Sequence, residues 1–222
     1  MEAYKGETEE EVFKLLAEAN SVLTGASDAQ LNINFFDTLR EFFNSSNSWM
    51  EWIQFMVIPN TQDYPITPTH GRILRLLNVL DQNRVPQQAI MPQIGMVSFL
   101  YPYNNVQPMW ACVAKTVLKA FKDGVPAPPF FPDWVLPNYG EGILTGVLGR
   151  MMMQPNQSWS DQKTGMFNLL KFRNAISQAR VDTMRAHTVG SQAWAYPQSF
   201  RTHSQKGGVS TFNINPSPQT VR

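Results

Sequence analysis

The spacing of apolar residues changes twice along this chain, and the double change limits the folds open to it. Val12, Leu15, Leu16, Ala19 and Leu23 recur at three- and four-residue intervals, the stripe of an amphipathic helix. Glu9-Glu10-Glu11 falls in the expected first turn, where negative charge suits the helix dipole, and Gly25 is placed to end the helix. A second helix is expected from Ser27 or Asp28 as cap, with Leu31, Phe35, Leu39, Phe42 and Phe43 on its apolar face. From Trp49 the character is different. "WMEWIQFMVIP", "GRILRLLNVLDQNRVP", "IGMVSFLYPY" and "QPMWACVAKTVL" are short aromatic and β-branched runs, bounded by turn signals such as "PNTQDYP" and Asp81-Gln82-Asn83. They predict antiparallel strands, although a helix over 72–80 also fits so short a run.

Helical spacing returns after a Pro-rich linker, "KDGVPAPPFFPDWVLP" (122–137). One helix is expected from about Pro137 to just before Pro155. A long one follows, capped by Ser158 or Ser160, with Met166, Leu170, Phe172, Ile176, Ala179, Val181 and Met184 on its apolar face. After Gly190 no period is left, and the chain reads as an extended arm. The expected fold class is α+β: a helical bundle (1–48 and 122–189) with an inserted antiparallel, sandwich-like β domain (49–121) and an extended C-terminal arm (190–222).

Composition narrows function mainly by exclusion. Apolar residues make up 43% of the chain, enough for a real core, while charged residues make up only 16%, so some of the surface is expected to lie under partners. A net charge of +1 offers no electrostatic case for binding nucleic acid or acidic membranes. No apolar run has the length of a membrane span, and the acidic N-terminus does not have the pattern of a signal peptide. The single cysteine, Cys112, excludes an internal disulfide and reads as a buried small apolar residue.

Chemistry is sparse. His70, His187 and His203 fall in a turn, at a helix end and in the arm, with no nucleophile beside any of them in sequence. Asp133, Glu141 and Asp161 suit loops and helix starts. "YGEGILTGVLG" has the wrong glycine spacing for a dinucleotide fingerprint and no strand before it. Its small residues, Gly142 and Gly146 among them, instead let another helix or a neighbouring subunit approach. No enzymatic activity, metal or cofactor is expected.

Two long phrases then carry a resemblance. "FFDTLREFFNSSNSWMEWIQFMVIPNTQDYPITPTHGRILRLLNVLD" resembles a pattern of short-tailed phage neck proteins, in which a helix leads to a Trp-bearing strand and a hairpin ending in Tyr-Pro-Ile. "FFPDWVLPNYGEGILTGVLGRMMMQPNQSWSDQKTGMFNLLKFRNAISQAR" resembles the helical half of the same proteins, through Pro132-Asp133, Tyr139, Gly146, Pro155, Trp159 and Ala179-Arg180. "AWAYPQSF" is similar to their C-terminal arm. The order and spacing of these marks carry the likeness to the head-to-tail adaptor, or connector, family. The resemblance implies a structural virion protein in the neck between capsid and tail. Its copies form a ring, usually dodecameric, below the portal protein, facing tail or nozzle proteins. Genomic DNA passes through without sequence-specific binding, and no membrane is involved. It also implies that Trp194, Tyr196, Pro197, Phe200 and Arg201 form a portal-docking arm, and that Gly142, Gly146 and Trp159 serve subunit packing. The arm's aromatic residues suit that use: each can remove about 150–250 Å² from water in a partner's groove. The alternative is a β-type binding module of a phage tail, recognising a receptor or glycan through Trp49, Trp52 and Trp110.

Overall fold

In a computed structural model of the chain, residues 4–118, 120–122, 125–127 and 131–187 are described. All but the last belong to one unit, Met1–Ala186; a second unit starts at His187, and the C-terminal arm lies outside the described residues. Among the described residues are four helices, α1 (Tyr4–Val22), α2 (Asp28–Ser46), α3 (Val135–Met152) and α4 (Gln162–His187). Between α2 and α3 lie β1 (Met50–Val57), β2 (Asp63–Pro65), β3 (Arg72–Leu80), β4 (Ala89–Ile90), β5 (Met96–Phe99), β6 (Gln107–Thr116), β7 (Ala120–Lys122) and β8 (Val125–Ala127). The class is α+β, a helical bundle with an inserted antiparallel β domain.

The helix starts follow from local chemistry. Ser27 caps α2: its hydroxyl accepts from Gln30 N while the Gln30 side chain returns to Ser27 N, a capping box. Asn47 ends the helix in the left-handed region at φ 54° and donates its N–H to Phe43 O. Leu31, Phe35, Leu39, Phe42 and Phe43 are all buried, as their spacing predicts. Helix α1 starts earlier than expected, so Glu9–Glu11 sits in its second turn.

Helix α3 is the centre of the bundle. Its buried residues run from Val135 through Ile143, Leu144, Val147 and Leu148 to Met152, on more than one side of the cylinder. Neighbours can surround it because its glycines have no Cβ. A Cβ on Gly146 would lie 2.6 Å from Thr38 Cγ2 and 2.8 Å from Phe172 Cδ2; one on Gly142 would lie 2.4 Å from Ala175 Cβ.

Two three-stranded antiparallel sheets, in the orders β1-β6-β3 and β2-β5-β4, form the inserted domain. They share one core of Val57, Ile73, Val79, Met109 and Val113 from the first sheet with Tyr64, Val97 and Phe99 from the second. Segment 72–80 is a strand rather than a helix, because β6 offers it a ladder along one edge; the register of that ladder shifts twice. The stretch 122–137 is less of a free linker than its prolines suggest, since β7 and β8 pair there as a short ladder. Phe131, further along it, packs against Phe35.

Candidate assembly surfaces

Helix α4 begins one residue after Asp161, not at the expected serines. The Asp161 carboxylate accepts from Thr164 N at 3.1 Å and Thr164 Oγ1 at 2.6 Å, and these hydrogen bonds hold its carboxyl below the usual range. Gly165, Asn168, Phe172, Ile176 and Ala179 are the buried positions of this helix. The face expected from the sequence is therefore only partly right. Phe172, Ile176 and Ala179 point into the core, but Met166, Leu170, Val181 and Met184 do not. At about 100° per residue, Met166, Phe167, Leu170 and Val181 fall on the side of the cylinder roughly opposite the core. Each is 40–60% exposed. Lys171 Nζ lies 5.0 Å from the Phe167 ring centroid, which leaves the stripe apolar at its centre and charged at one margin.

Beside this stripe, α3 and α4 enclose a groove of about 470 Å³, with Tyr139, Glu141, Gly142, Lys171, Gln178 and Asp182 on its walls. Tyr139 Oη donates to Asp182 Oδ2 at 3.0 Å, and Gln178 Nε2 donates to Asp182 Oδ1 at 2.9 Å. Burial, together with the hydrogen bond to Asp182 and that residue's charge, pushes the Tyr139 hydroxyl up to about 12. It stays protonated at neutral pH, and both oxygens of its carboxylate partner accept hydrogen bonds. The pair ties α3 to α4 rather than presenting a base to a substrate.

A third surface lies at the far end of the β domain. Val57 pairs with Gln107, and Leu80 with Trp110, so the end of β1, the end of β3 and the start of β6 lie together. The helices join at the opposite end, where Trp49 and Val117 belong to the helical core. Ile58, Val85, Leu100, Tyr101 and Val106 are exposed on the far loops. These loops are braced. Tyr64 Oη donates to Ile58 O (3.0 Å) or Thr61 O (2.8 Å) and accepts from Ile58 N; Asp81 Oδ1 accepts from Asn83 N and Val85 N; Tyr103 Oη donates to Gln87 Oε1. A slot of about 370 Å³ opens between Pro86–Gln88 and Phe99–Tyr103.

Trp194, Tyr196, Pro197, Phe200, Arg201 and His203 lie outside the described residues. The room made by Gly142 and Gly146 is filled by Ala175, Thr38 and Phe172 of the same chain. Trp159 packs on the helical core beside the α1–α2 turn, where Ser158 Oγ donates to Thr24 O. Of the tryptophans considered as a binding platform, Trp49 is buried in the helical core against Phe43, with ring centroids 5.3 Å apart. Trp52 is exposed and Trp110 half-buried; Trp52 pairs with Cys112 and Gln54 with Trp110, which makes the two indoles diagonal neighbours. Cys112 is buried, and burial pushes its thiol up to about 11. Among the described residues no group of three or more His, Cys, Asp or Glu is placed to hold a metal, and no helix is long and apolar enough to cross a membrane. The outer stripe of α4 and the Tyr139–Asp182 pair were missed from the sequence. The available signal for the stripe was Phe167 next to Met166, one residue too many for a single face.

No family model matches the chain, and comparison with curated proteins returned no match.

Proposed function

We propose that the protein is a structural virion component, a head-to-tail adaptor. Its copies form a ring, dodecameric by analogy, in the neck below the portal. The arm bearing Trp194, Tyr196, Pro197, Phe200 and Arg201 docks on the portal, and the β domain faces tail or nozzle proteins. Genomic DNA passes through the ring. The proposal assigns no enzymatic activity.

The observation that carries this reading is the second apolar face of α4. A helix already anchored by Phe172, Ile176 and Ala179 does not need Met166, Phe167, Leu170 and Val181 to fold, and an apolar stripe in water favours burial against another surface. In a ring every copy covers the stripe of its neighbour, and the sum over copies makes a weak single contact sufficient. The low charged fraction supports the same reading.

The test mixes the protein with the portal protein of the same genome and follows sedimentation. Full-length chain is expected to join the portal as a large stoichiometric ring. Chain ending at residue 189 is expected to stay free, and Phe167→Lys/Leu170→Lys to bind without closing a ring. Failure of the full-length chain to join the portal rejects the adaptor reading.

A second reading draws on Trp52 and Trp110, which occupy diagonal register positions on the outer face of the first sheet: a glycan-binding module. Quenching of indole fluorescence by host-surface glycans, abolished in Trp52→Ala, would support it; no quenching would reject it.

A further inference from the structure

At the joint between the bundle and the β domain, a buried lysine of β6 pairs with a half-buried glutamate of the neighbouring strand β1. Lys115 is near the end of β6 and is 4% exposed. Its Nζ lies 2.8 Å from Glu51 Oε2 and 4.5 Å from the centroid of the Trp49 indole. Its backbone N donates to Trp49 O at 2.9 Å. Glu51, on β1, also accepts from the backbone N and hydroxyl of Thr69 in the β2–β3 loop. Trp49 belongs to the helical core, whereas Glu51, Thr69 and Lys115 belong to the β domain. The Trp49 backbone continues the β1–β6 ladder while its indole enters the helical core, and the ammonium lies against that indole from the β side. A second tie crosses the same boundary, from Arg75 Nη2 to Asn44 O at 2.8 Å.

Two further features mark this joint, beside the apolar packing of Trp49 and Val117 in the helical core. Asn47 Oδ1 and Thr116 Oγ1 are buried there with no hydrogen-bond partner among the described protein groups. Gly71, at φ 75°, lets the β2–β3 loop press on the indole, and a Cβ there would lie 2.7 Å from Trp49 Cη2. An ion pair with one buried partner adds little to stability compared with apolar residues of the same volume.

The geometry points to Glu51, Lys115 and Trp49 as an orientation latch. The pair specifies the angle at which the β domain stands on the bundle, and its removal turns the joint into a hinge. Glu51 and Lys115 are positioning residues, and their effect is on the breadth of interdomain orientation more than on folding. The latch stands whether or not the adaptor reading does.

The test uses the full chain carrying spin labels at Asn20→Cys, exposed on α1, and Asn104→Cys, exposed on the far loops. Cys112 is buried and is left unlabelled. Unmodified protein is expected to give one narrow distance by pulsed electron resonance. Glu51→Gln/Lys115→Met keeps shape and loses both charges. It is expected to broaden that distribution at least about twofold and to speed amide exchange at Thr69 and Lys115 about tenfold, with exchange in α3 unchanged. Should the double variant fail to fold, Glu51→Gln alone is measured in the same way. A narrow distribution in the folded variant overturns the latch, as does a broad one in the unmodified protein. Broadening accompanied by faster exchange in α3 also overturns it, because the pair is then general structure.

Discussion

Helices α3 and α4 pack against each other in the same half of the molecule, yet they meet water in opposite ways. Helix α3 is apolar around much of its circumference and covered there, and its glycines are the places where neighbours come closest. Helix α4 is apolar on two opposite sides and covered on one. An apolar surface that the chain covers for itself reports on folding. One that it leaves open reports on association.

The sharpest break in this comparison is within α4. Phe172→Ala empties a site that is 1% exposed and is expected to cost about 3–5 kcal/mol by chemical denaturation, whereas Phe167→Ala, on the other face, should stay within about 0.5 kcal/mol. Equal losses would mean that the outer stripe is part of the core. Next in size is a contrast within α3. Gly146→Ala places a methyl against Thr38 and Phe172, both nearly inaccessible, and is expected to destabilise by about 1–3 kcal/mol. Gly140→Ala meets nothing nearer than Leu136 Cβ at 4.0 Å and is expected to stabilise by up to about 1 kcal/mol through helix propensity.

Smaller again is Tyr139→Phe, which removes the hydrogen bond to Asp182 between the two helices and is expected to cost about 0.5–1.5 kcal/mol at neutral pH. The sign with pH follows from the raised hydroxyl. Its folded value is about 12 against an ordinary 10, so the contribution is complete below pH 10 and fades as pH rises towards 12. Alkaline unfolding curves of the two proteins should converge over that interval. The acid side carries a second, opposite limb at Glu51. Burial raises its carboxyl, but hydrogen bonds from Lys115 and Thr69 and the Lys115 charge outweigh this and hold it below the ordinary value. Its contribution is complete above the ordinary carboxyl range and is lost as pH falls through the lowered value. Glu51→Gln should flatten that limb. The smallest effect is expected for Leu170→Gln, which should leave monomer stability within about 0.5 kcal/mol while weakening self-association in sedimentation.

Much of the fold was legible because its signals are local. The α2 stripe from Leu31 to Phe43, the Ser27 cap and the change of period at Trp49 each depend on residues within a few turns or strand lengths. The ambiguity at 72–80 was real, since a short apolar run satisfies both periods until a partner strand is present. The candidate surfaces were less legible. Periodicity detects that α4 has apolar positions but not which set meets the core, and the face written from Met166, Leu170 and Phe172 mixed the two.

The sequence by itself determined the order of element types, the α+β class and the burial of Cys112, because hydrophobic spacing and capping act over short chain distances. Only the tertiary structure decided which side of α4 stays in water, that Trp49 serves the helical core while Trp52 faces out, and that Lys115 is buried beneath an indole. Each of these depends on what a segment distant in sequence places opposite the side chain, and burial is a property of that pair rather than of either residue alone.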